Sequence, residues 1–271
     1  MLSTKNGSLQ LSAGVMDYIA FGNGSRTLVM IPGLGDGLKT VRGTALPFAL
    51  MYRRLARDFR VYVFSRRREL PEHVNTRELA REVSEAMEAL GLSGAAVLGV
   101  SQGGMIAQWL AIDHPDKLSR LILAVTLAEP NATMREAVGG WMEMARRGDY
   151  RALMLDTAER SYSPKRLRTL RPGLRLMGNL GRPKSFQRFL TLAEACLTHD
   201  ALAELPRIDC PTLVIGGCKD KIVTGEASQT IAAAIPGSRL LMVEGLGHGL
   251  YEETPDFFRQ VADFAKGEVK K

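Results

Sequence analysis

Residues 95–113 read AAVLGVSQGGMIAQWLAID. The segment opens with a short apolar run, and the later residues Met105, Trp109 and Ile112 recur at three- and four-residue spacing. A short apolar run is typical of a buried strand, whereas the later spacing is typical of a helix. Ser101 lies between the two patterns, so the segment is predicted to form a strand, a tight turn and a helix.

The turn has the pattern Gly-x-Ser-x-Gly, with Gly99, Ser101 and Gly103 at its fixed positions. In such a nucleophile elbow the serine has a strained backbone, and the glycines let strand and helix approach closely. The hydroxyl is then exposed at the carboxyl end of the sheet, beside the free N–H groups and positive dipole end of the helix. Ser101 is therefore a candidate nucleophile.

Further apolar runs on both sides of this segment are typical of strands buried in a parallel sheet. They lie at 27–31, 61–64, 121–125, 212–217 and 239–243. Helical patterns alternate with them at 46–57, 76–90, 225–234 and 255–265. This alternation predicts right-handed crossovers and a doubly wound, mostly parallel sheet. Two alternating runs, 9–11 and 18–21, predict an antiparallel pair before it.

The strand pattern is interrupted between Glu129 and Asp200. Four helix-patterned segments replace it, at 134–147, 151–161, 167–180 and 185–197, with Pro164, Pro172 and Pro183 punctuating them. We interpret residues 129–200 as a helical cap inserted into a core of residues 1–128 and 201–271. Its apolar content favours a cap over a linker, and a cap predicts a covered, largely apolar pocket.

The composition is ordinary for a globular protein, with 45% hydrophobic and 24% charged residues. The apolar runs are too short to span a bilayer, and residues 1–7 lack the apolar core of a signal peptide, so a cytoplasmic location is expected. The net charge of +7 favours a solvated basic surface over nucleic-acid binding, because aromatic interleaving and a binding motif are missing. A small-molecule substrate is expected, and an anionic group on it, received by arginines, is an open alternative.

Ser101 needs a base that is held in one tautomer by a third group. His248 lies between two glycines directly after the last predicted strand, and Asp220 follows the strand at 212–217. Both belong to the sheet edge where α/β folds place ligands.

Structural or solvated roles are favoured for the remaining histidines, His73, His114 and His199. The cysteines, Cys196, Cys210 and Cys218, lack metal-ligand spacing and are interpreted as reduced, with a catalytic thiol at Cys218 as the alternative.

The chain resembles the α/β-hydrolase superfamily over nearly its whole length. The resemblance is carried by the elbow, by the Pro-Gly-Leu-Gly loop at 32–35, by the segment CPTLVIGG at 210–217 followed by Asp220, and by His248. Within the superfamily, SQGGMIAQ at 101–108 and HPDKLSRLIL at 114–123 are similar to the small carboxylesterase, enol-lactonase and carbon–carbon bond hydrolase group.

The resemblance implies that Ser101 attacks a carbonyl, that His248 accepts and returns the proton, and that Asp220 orients the imidazole. It also implies that the backbone N–H groups of Leu34 and Gln102 form the oxyanion hole. The chain departs from the family pattern in two places. Pro32 stands where histidine is common, and RRRE at 66–69 replaces an acidic, glycine-rich sequence.

We therefore expect a serine hydrolase that cleaves an ester, thioester or lactone of a small, largely apolar substrate through an acyl-enzyme. No cofactor or metal is expected, since serine, histidine and backbone dipoles already supply nucleophile, base and electrophile. Two alternatives remain open: hydrolysis of a carbon–carbon bond by the same three side chains, and a non-catalytic small-molecule receptor on this fold.

Overall fold

The computed structural model describes residues 3–177 and 180–268. Its strands are β1 (Thr4–Leu11), β2 (Gly14–Phe21), β3 (Arg26–Ile31), β4 (Phe59–Arg67), β5 (Ala95–Val100), β6 (Leu118–Ala124), β7 (Thr212–Gly217) and β8 (Arg239–Val243). Its α-helices are α1 (Ala45–Met51), α2 (Leu55–Asp58), α3 (Thr76–Ala89), α4 (Gln102–Asp113), α5 (Ala132–Arg146), α6 (Tyr150–Ser161), α7 (Pro164–Met177), α8 (Gln187–Leu197), α9 (Gly225–Ala234), α10 (Leu250–Glu253) and α11 (Asp256–Lys266).

The strands form one sheet in the order β1-β2-β4-β3-β5-β6-β7-β8. The pairs β1/β2 and β2/β4 are antiparallel, and every later neighbouring pair is parallel. The predicted doubly wound, mostly parallel sheet with an antiparallel pair at its start is therefore confirmed. Strand β5, which leads to Ser101, lies in the middle of the sheet between β3 and β6.

Apolar side chains cover both faces of the sheet, as the near-continuous hydrophobic runs of its central strands require. On one face, α3, α4 and α9 contribute Leu79, Leu110 and Ile231 to a buried cluster. On the other face, α2 and α11 contribute Leu55 and Val261 to a second cluster. The sheet is thus held between two layers of helices, and its strand ends are fixed in position.

Helix α3 begins where its sequence predicts. Asn75 accepts a hydrogen bond from the backbone N–H of Glu78, and the Glu78 side chain accepts one from the N–H of Asn75. This capping box satisfies two N–H groups that lack partners inside the helix.

Two predicted helices differ from the structure. The helix predicted at 46–57 is divided into α1 and α2, because Tyr52 leaves the helical region with ψ at 25°. Pro172 does not interrupt α7, which continues through it. Pro164 occupies the first position of that helix, where its missing N–H costs nothing.

Between β6 and β7 lie the four helices α5 to α8 and a short 3-10 helix at Leu202–Arg207. Residues 178–179 of the predicted cap, and residues 1–2 and 269–271 of the predicted core, lie outside the described residues. Within the described ranges, none of the helices combines the length and apolarity needed to cross a bilayer.

Candidate active site

Ser101 occupies the turn between β5 and α4 with φ at 54° and ψ at −121°. This left-handed backbone conformation is strained for a residue with a side chain, and such strain concentrates at functional sites. The flanking glycines have no room for a Cβ: at Gly99 it would lie 2.5 Å from the Gly103 carbonyl oxygen, and at Gly103 it would lie 1.9 Å from that of Ile31. The Gly-x-Ser-x-Gly pattern is thus required by close packing.

His248 lies in the loop between β8 and α10, and its Nε2 is 3.0 Å from Ser101 Oγ. The loop is packed tightly, because a Cβ at Gly249 would lie 2.6 Å from the ring of Tyr162. The backbone N–H of Gly249 also donates to the Ser161 carbonyl oxygen at the end of α6, at 2.8 Å. These contacts hold the imidazole against the serine.

Asp220 follows β7 and lies 2.8 Å from His248 Nδ1 through Oδ2. Its Oδ1 accepts the backbone N–H groups of Ile222, at 2.8 Å, and Val223, at 3.0 Å. Burial by itself would raise the pKa of Asp220, but His248 and these N–H donors hold that pKa below its ordinary value. Because a carboxylate only accepts hydrogen bonds, His248 carries its proton on Nδ1 and offers Nε2 as acceptor to the serine hydroxyl.

The loop after β3 lies against Ser101. A Cβ added at Gly33 would be 3.3 Å from the Ser101 Cβ, and a short 3-10 helix, Leu34–Gly37, follows. No hydrogen bond among residues 3–177 and 180–268 uses the backbone N–H of Leu34 or of Gln102. The Gln102 N–H is also one of the N–H groups at a helix start that have no intrahelical acceptor. Two free donors therefore flank the serine.

A cavity of about 640 Å³ opens onto Ser101 and His248. Helices α5 to α8 contribute a mostly apolar part of its wall: Trp141, Leu153, Met154, Thr157, Ala158, Ser161, Leu170, Leu174 and Phe189. Helix α1 and the residues on either side of it add Thr44, Phe48, Met51 and Tyr52. A cavity of this size and character suits a small, largely apolar molecule.

The alternative in which arginines receive an anionic substrate group stays a prediction. The exposed Lys39 lines the cavity, and the arginines whose side chains the structure describes do not. No group of three or more histidine, cysteine, aspartate or glutamate side chains in that part of the chain is arranged to hold a metal ion.

The profile of a family described as having the alpha/beta hydrolase fold matches residues 26–255. The chain belongs to this family. The resemblance inferred from the motifs, and the prediction of an α/β-fold hydrolase, are thereby confirmed.

Relatives of this α/β hydrolase include other hydrolases. A protein of Caulobacter sp. strain K31 named “Putative carbamate hydrolase RutD” is 25% identical over 262 residues, which cover 90% of this chain and 92% of the relative. The 3-oxoadipate enol-lactonase 2 of Acinetobacter baylyi is 24% identical over 249 residues, covering 92% and 91%. The crystal structure of MGS-M2, an α/β hydrolase from a deep-sea metagenome library of the Medee basin, has a TM-score of 0.84 at 20% identity and covers 98% of both chains.

The other histidines of this α/β hydrolase do not line the cavity. His199 is buried at 1% exposure, with its Nδ1 2.8 Å from Thr76 Oγ1 and its Nε2 3.4 Å from Gln108 Oε1. His73 is exposed and His114 is half-buried beyond the end of α4. The structural or solvated roles predicted for all three agree with these positions.

Cys218 does not line the cavity either. Its thiol donates to Glu244 at 3.3 Å, and partial burial together with this carboxylate raises the pKa of the thiol. A thiol with a raised pKa is a poor nucleophile at neutral pH, which disfavours the alternative of a catalytic cysteine.

Sequence reasoning missed a polar cluster behind the Leu34 loop. Asp36 is 4% exposed and accepts hydrogen bonds from Ser65 Oγ at 2.5 Å and from the Arg66 backbone N–H at 2.9 Å. Its carboxylate also pairs with Arg188 of α8 at 2.8 Å, and Arg66 itself is 2% exposed. The available signal was that β4 continues past its apolar run into Ser65 and Arg66, at the sheet edge that carries the site.

Proposed function

We propose that this α/β hydrolase is a serine hydrolase that cleaves an ester, thioester or lactone of a small, largely apolar substrate through an acyl-enzyme. The observation that carries the proposal is the continuous contact from Ser101 Oγ through His248 to Asp220, at 3.0 and 2.8 Å. A serine hydroxyl needs such an arrangement to become a competent nucleophile.

In the proposed reaction, Ser101 Oγ attacks the substrate carbonyl carbon while His248 Nε2 takes the hydroxyl proton. The Asp220 carboxylate stabilises the resulting imidazolium and stays ionised. The N–H groups of Leu34 and Gln102 donate to the oxyanion, and His248 then protonates the leaving oxygen or sulfur. Water, deprotonated by the same histidine, attacks the acyl-enzyme and releases the acid and the free serine.

We further propose that residues 129–200 form a cap over a core of residues 1–128 and 201–271. The contribution of α5 to α8 to the cavity wall supports this division. A wall built from an insertion can change its shape without disturbing the sheet that positions the serine. The cap would then determine which acyl groups the enzyme accepts.

The proposed bond class is supported by the names of the relatives, a carbamate hydrolase and an enol-lactonase. Both names describe a carbonyl carbon bonded to a heteroatom, which a serine can attack and an oxyanion hole can stabilise. A cytoplasmic location and the absence of a nucleic-acid partner stay predictions from the sequence. Hydrolysis of a carbon–carbon bond would use the same contacts within the site, so the substrate panel that tests the proposal includes both bond types.

The test is labelling with a fluorophosphonate together with turnover of panels of esters, thioesters, lactones and vinylogous diketones. We expect the wild type to be labelled and to turn over an ester, thioester or lactone, while Ser101→Ala does neither. Asp220→Asn keeps the shape of the site but removes the charge, and should lower kcat by roughly 10⁴-fold. A folded wild type that resists labelling, or turnover of the diketones alone, would overturn the proposal.

A further inference from the structure

Arg66 is a buried cation immediately behind the site, at the end of β4. Its Nη2 donates to the Pro32 carbonyl oxygen at 2.6 Å and to Gln102 Oε1 at 2.9 Å. Pro32 begins the loop that carries Leu34, and Gln102 is the first residue of α4. One nitrogen atom therefore joins the two segments whose backbone N–H groups flank Ser101.

The Gln102 side chain is fixed on its other side as well. Its Nε2 donates to the Leu192 carbonyl oxygen at 2.5 Å and lies 3.1 Å from Cys196 Sγ, both in α8. Gln102 is 0% exposed, so this amide has no solvent to exchange partners with. The Arg66 contact therefore acts on a rigid group.

The Arg66 guanidinium is held without a carboxylate of its own. No salt bridge within residues 3–177 and 180–268 includes it, and its Nε and Nη1 are buried without a hydrogen-bond partner in those ranges. The nearby Asp36 carboxylate is paired with Arg188 instead. Burial of a charge with unsatisfied donors is costly, so stability alone does not account for an arginine at this position.

We propose that Arg66 is a positioning residue for the oxyanion hole, holding the Leu34 loop and the first turn of α4 at the separation that lets both N–H groups reach one oxyanion. This inference rests on the proposed serine hydrolase activity. Arg66 acts through Pro32 and Gln102 and does not touch the substrate.

A displaced oxyanion donor has a specific kinetic effect. An oxyanion forms only in the tetrahedral transition state, so misplacement of its donors lowers kcat with little effect on KM. Loss of a whole donor costs about 10² to 10³ in kcat, and displacement of a donor should cost less. We therefore expect Arg66→Met to lower kcat by roughly ten- to a hundredfold and to leave KM within about threefold.

The test compares ligands of two shapes on purified full-length variants. A boronic acid forms a tetrahedral adduct with the serine and requires the oxyanion hole, whereas the carboxylate product binds without one. Arg66→Met should weaken boronic acid inhibition by about the same factor as kcat and leave product inhibition nearly unchanged. Arg66→Lys, which keeps a donor and the charge, should recover part of the loss.

Arg67→Met is the matched control, because Arg67 is the next residue of β4 and its side chain pairs with Glu82 without touching Pro32 or Gln102. We expect it to lower the unfolding midpoint while the kinetics of the folded enzyme stay unchanged. If Arg66→Met does not fold, Gln102→Met breaks the same bridge and should reproduce the selective loss of kcat and boronic acid affinity.

An active wild type whose Arg66→Met variant, or Gln102→Met in its place, keeps both kcat and boronic acid affinity within threefold would overturn the positioning role. The proposed function would survive that result. Equal loss of boronic acid and product affinity would also overturn it, since that pattern indicates general disruption of the site. A wild type without labelling or turnover would instead contradict the proposed function.

Discussion

Two buried histidines in this protein have opposite chemical settings. His248 faces a carboxylate through one ring nitrogen and the serine through the other, so its protonated form has a stabilising partner. His199 lies against the Thr76 hydroxyl, the Gln108 amide and the Leu127 backbone, and burial lowers its pKa to about 3. The ring type is the same, but only the neighbours of His248 suit the proton transfer proposed for it.

The setting of His199 predicts an acid-sensitive fold. Between pH 6.5 and 3 the unfolded chain binds a proton at this residue and the folded chain does not, so the free energy of unfolding falls as the pH falls. From pH 6 to 5 we expect His199 to contribute a loss of about 1 kcal/mol. Urea unfolding of the wild type and of His199→Gln at both pH values measures this contribution.

The exposed His73 supplies the control, since His73→Gln should keep the acid sensitivity of the wild type. His199→Gln should lose about 1 kcal/mol less than the wild type over the same interval. Equal losses in the wild type and in His199→Gln would show that His199 titrates similarly in the folded and unfolded states.

At the scale of elements, the elbow depends on how closely α4 approaches β3 and β5. Gly103→Ala places a Cβ 1.9 Å from the Ile31 carbonyl oxygen, and backbone on both sides prevents relief by a rotamer change. We expect this substitution to cost more than about 3 kcal/mol and to abolish ester turnover. Urea unfolding and soluble yield measure the first effect, and an ester assay measures the second.

Gly139→Ala is the matched glycine substitution, because Gly139 lies inside α5 and a Cβ there meets no atom within 4 Å. A helix-interior alanine should stabilise the protein by about 0.5 to 1 kcal/mol and leave turnover unchanged. Wild-type stability and activity in Gly103→Ala would contradict the packing argument for the elbow.

The elements that the sequence predicts best are those with one dominant local signal. The apolar run at 95–100 and the helical spacing at 76–90 each have a single physical interpretation, and both elements were predicted correctly. The division of the helix predicted at 46–57 was missed, because Tyr52 carries no breaker signal and its side chain lies in the cavity wall. Pro172 lies inside the segment predicted as helical at 167–180, and α7 does continue through it, although proline usually ends a helix.

Part of the candidate site is likewise predicted from local sequence signals, and part of it is not. The positions of Ser101, Asp220 and His248 follow from strand ends, since parallel strands deliver their following loops to one edge of the sheet. The contact between Arg66 and Gln102 joins residues far apart in the sequence, and neither belongs to a motif that names the other. Such contacts depend on tertiary packing, which periodicity and turn signals do not encode.

At the scale of the whole molecule, the sheet and the helices between β6 and β7 meet at the Leu34 loop. Arg188 of α8 reaches the Asp36 carboxylate at 2.8 Å and the Arg66 carbonyl oxygen at 3.1 Å. Gln102 makes a second tie to α8 through Leu192. The helices that shape the cavity are thus anchored to the segments proposed to stabilise the oxyanion, while their part of the cavity wall is mostly apolar.

A larger side chain in the α6 part of the cavity wall should limit the length of the acyl chain that fits. Met154 of α6 lines the cavity of about 640 Å³. The larger side chain of Met154→Trp would fill part of that cavity. Under the proposed ester hydrolysis, we expect kcat/KM for an octanoate ester to fall at least about tenfold relative to the acetate ester, because the longer chain loses its apolar contacts. Phosphonylation of Ser101 by a small reagent should stay within about threefold of the wild-type rate, because the triad is untouched.

Arg151→Trp, on the exposed side of the same helix, should leave both measurements unchanged. An unaltered ratio of octanoate to acetate turnover in Met154→Trp would show that the acyl group does not enter this cavity. A parallel fall in kcat/KM for both esters and in the phosphonylation rate would show that the substitution disturbs the serine itself.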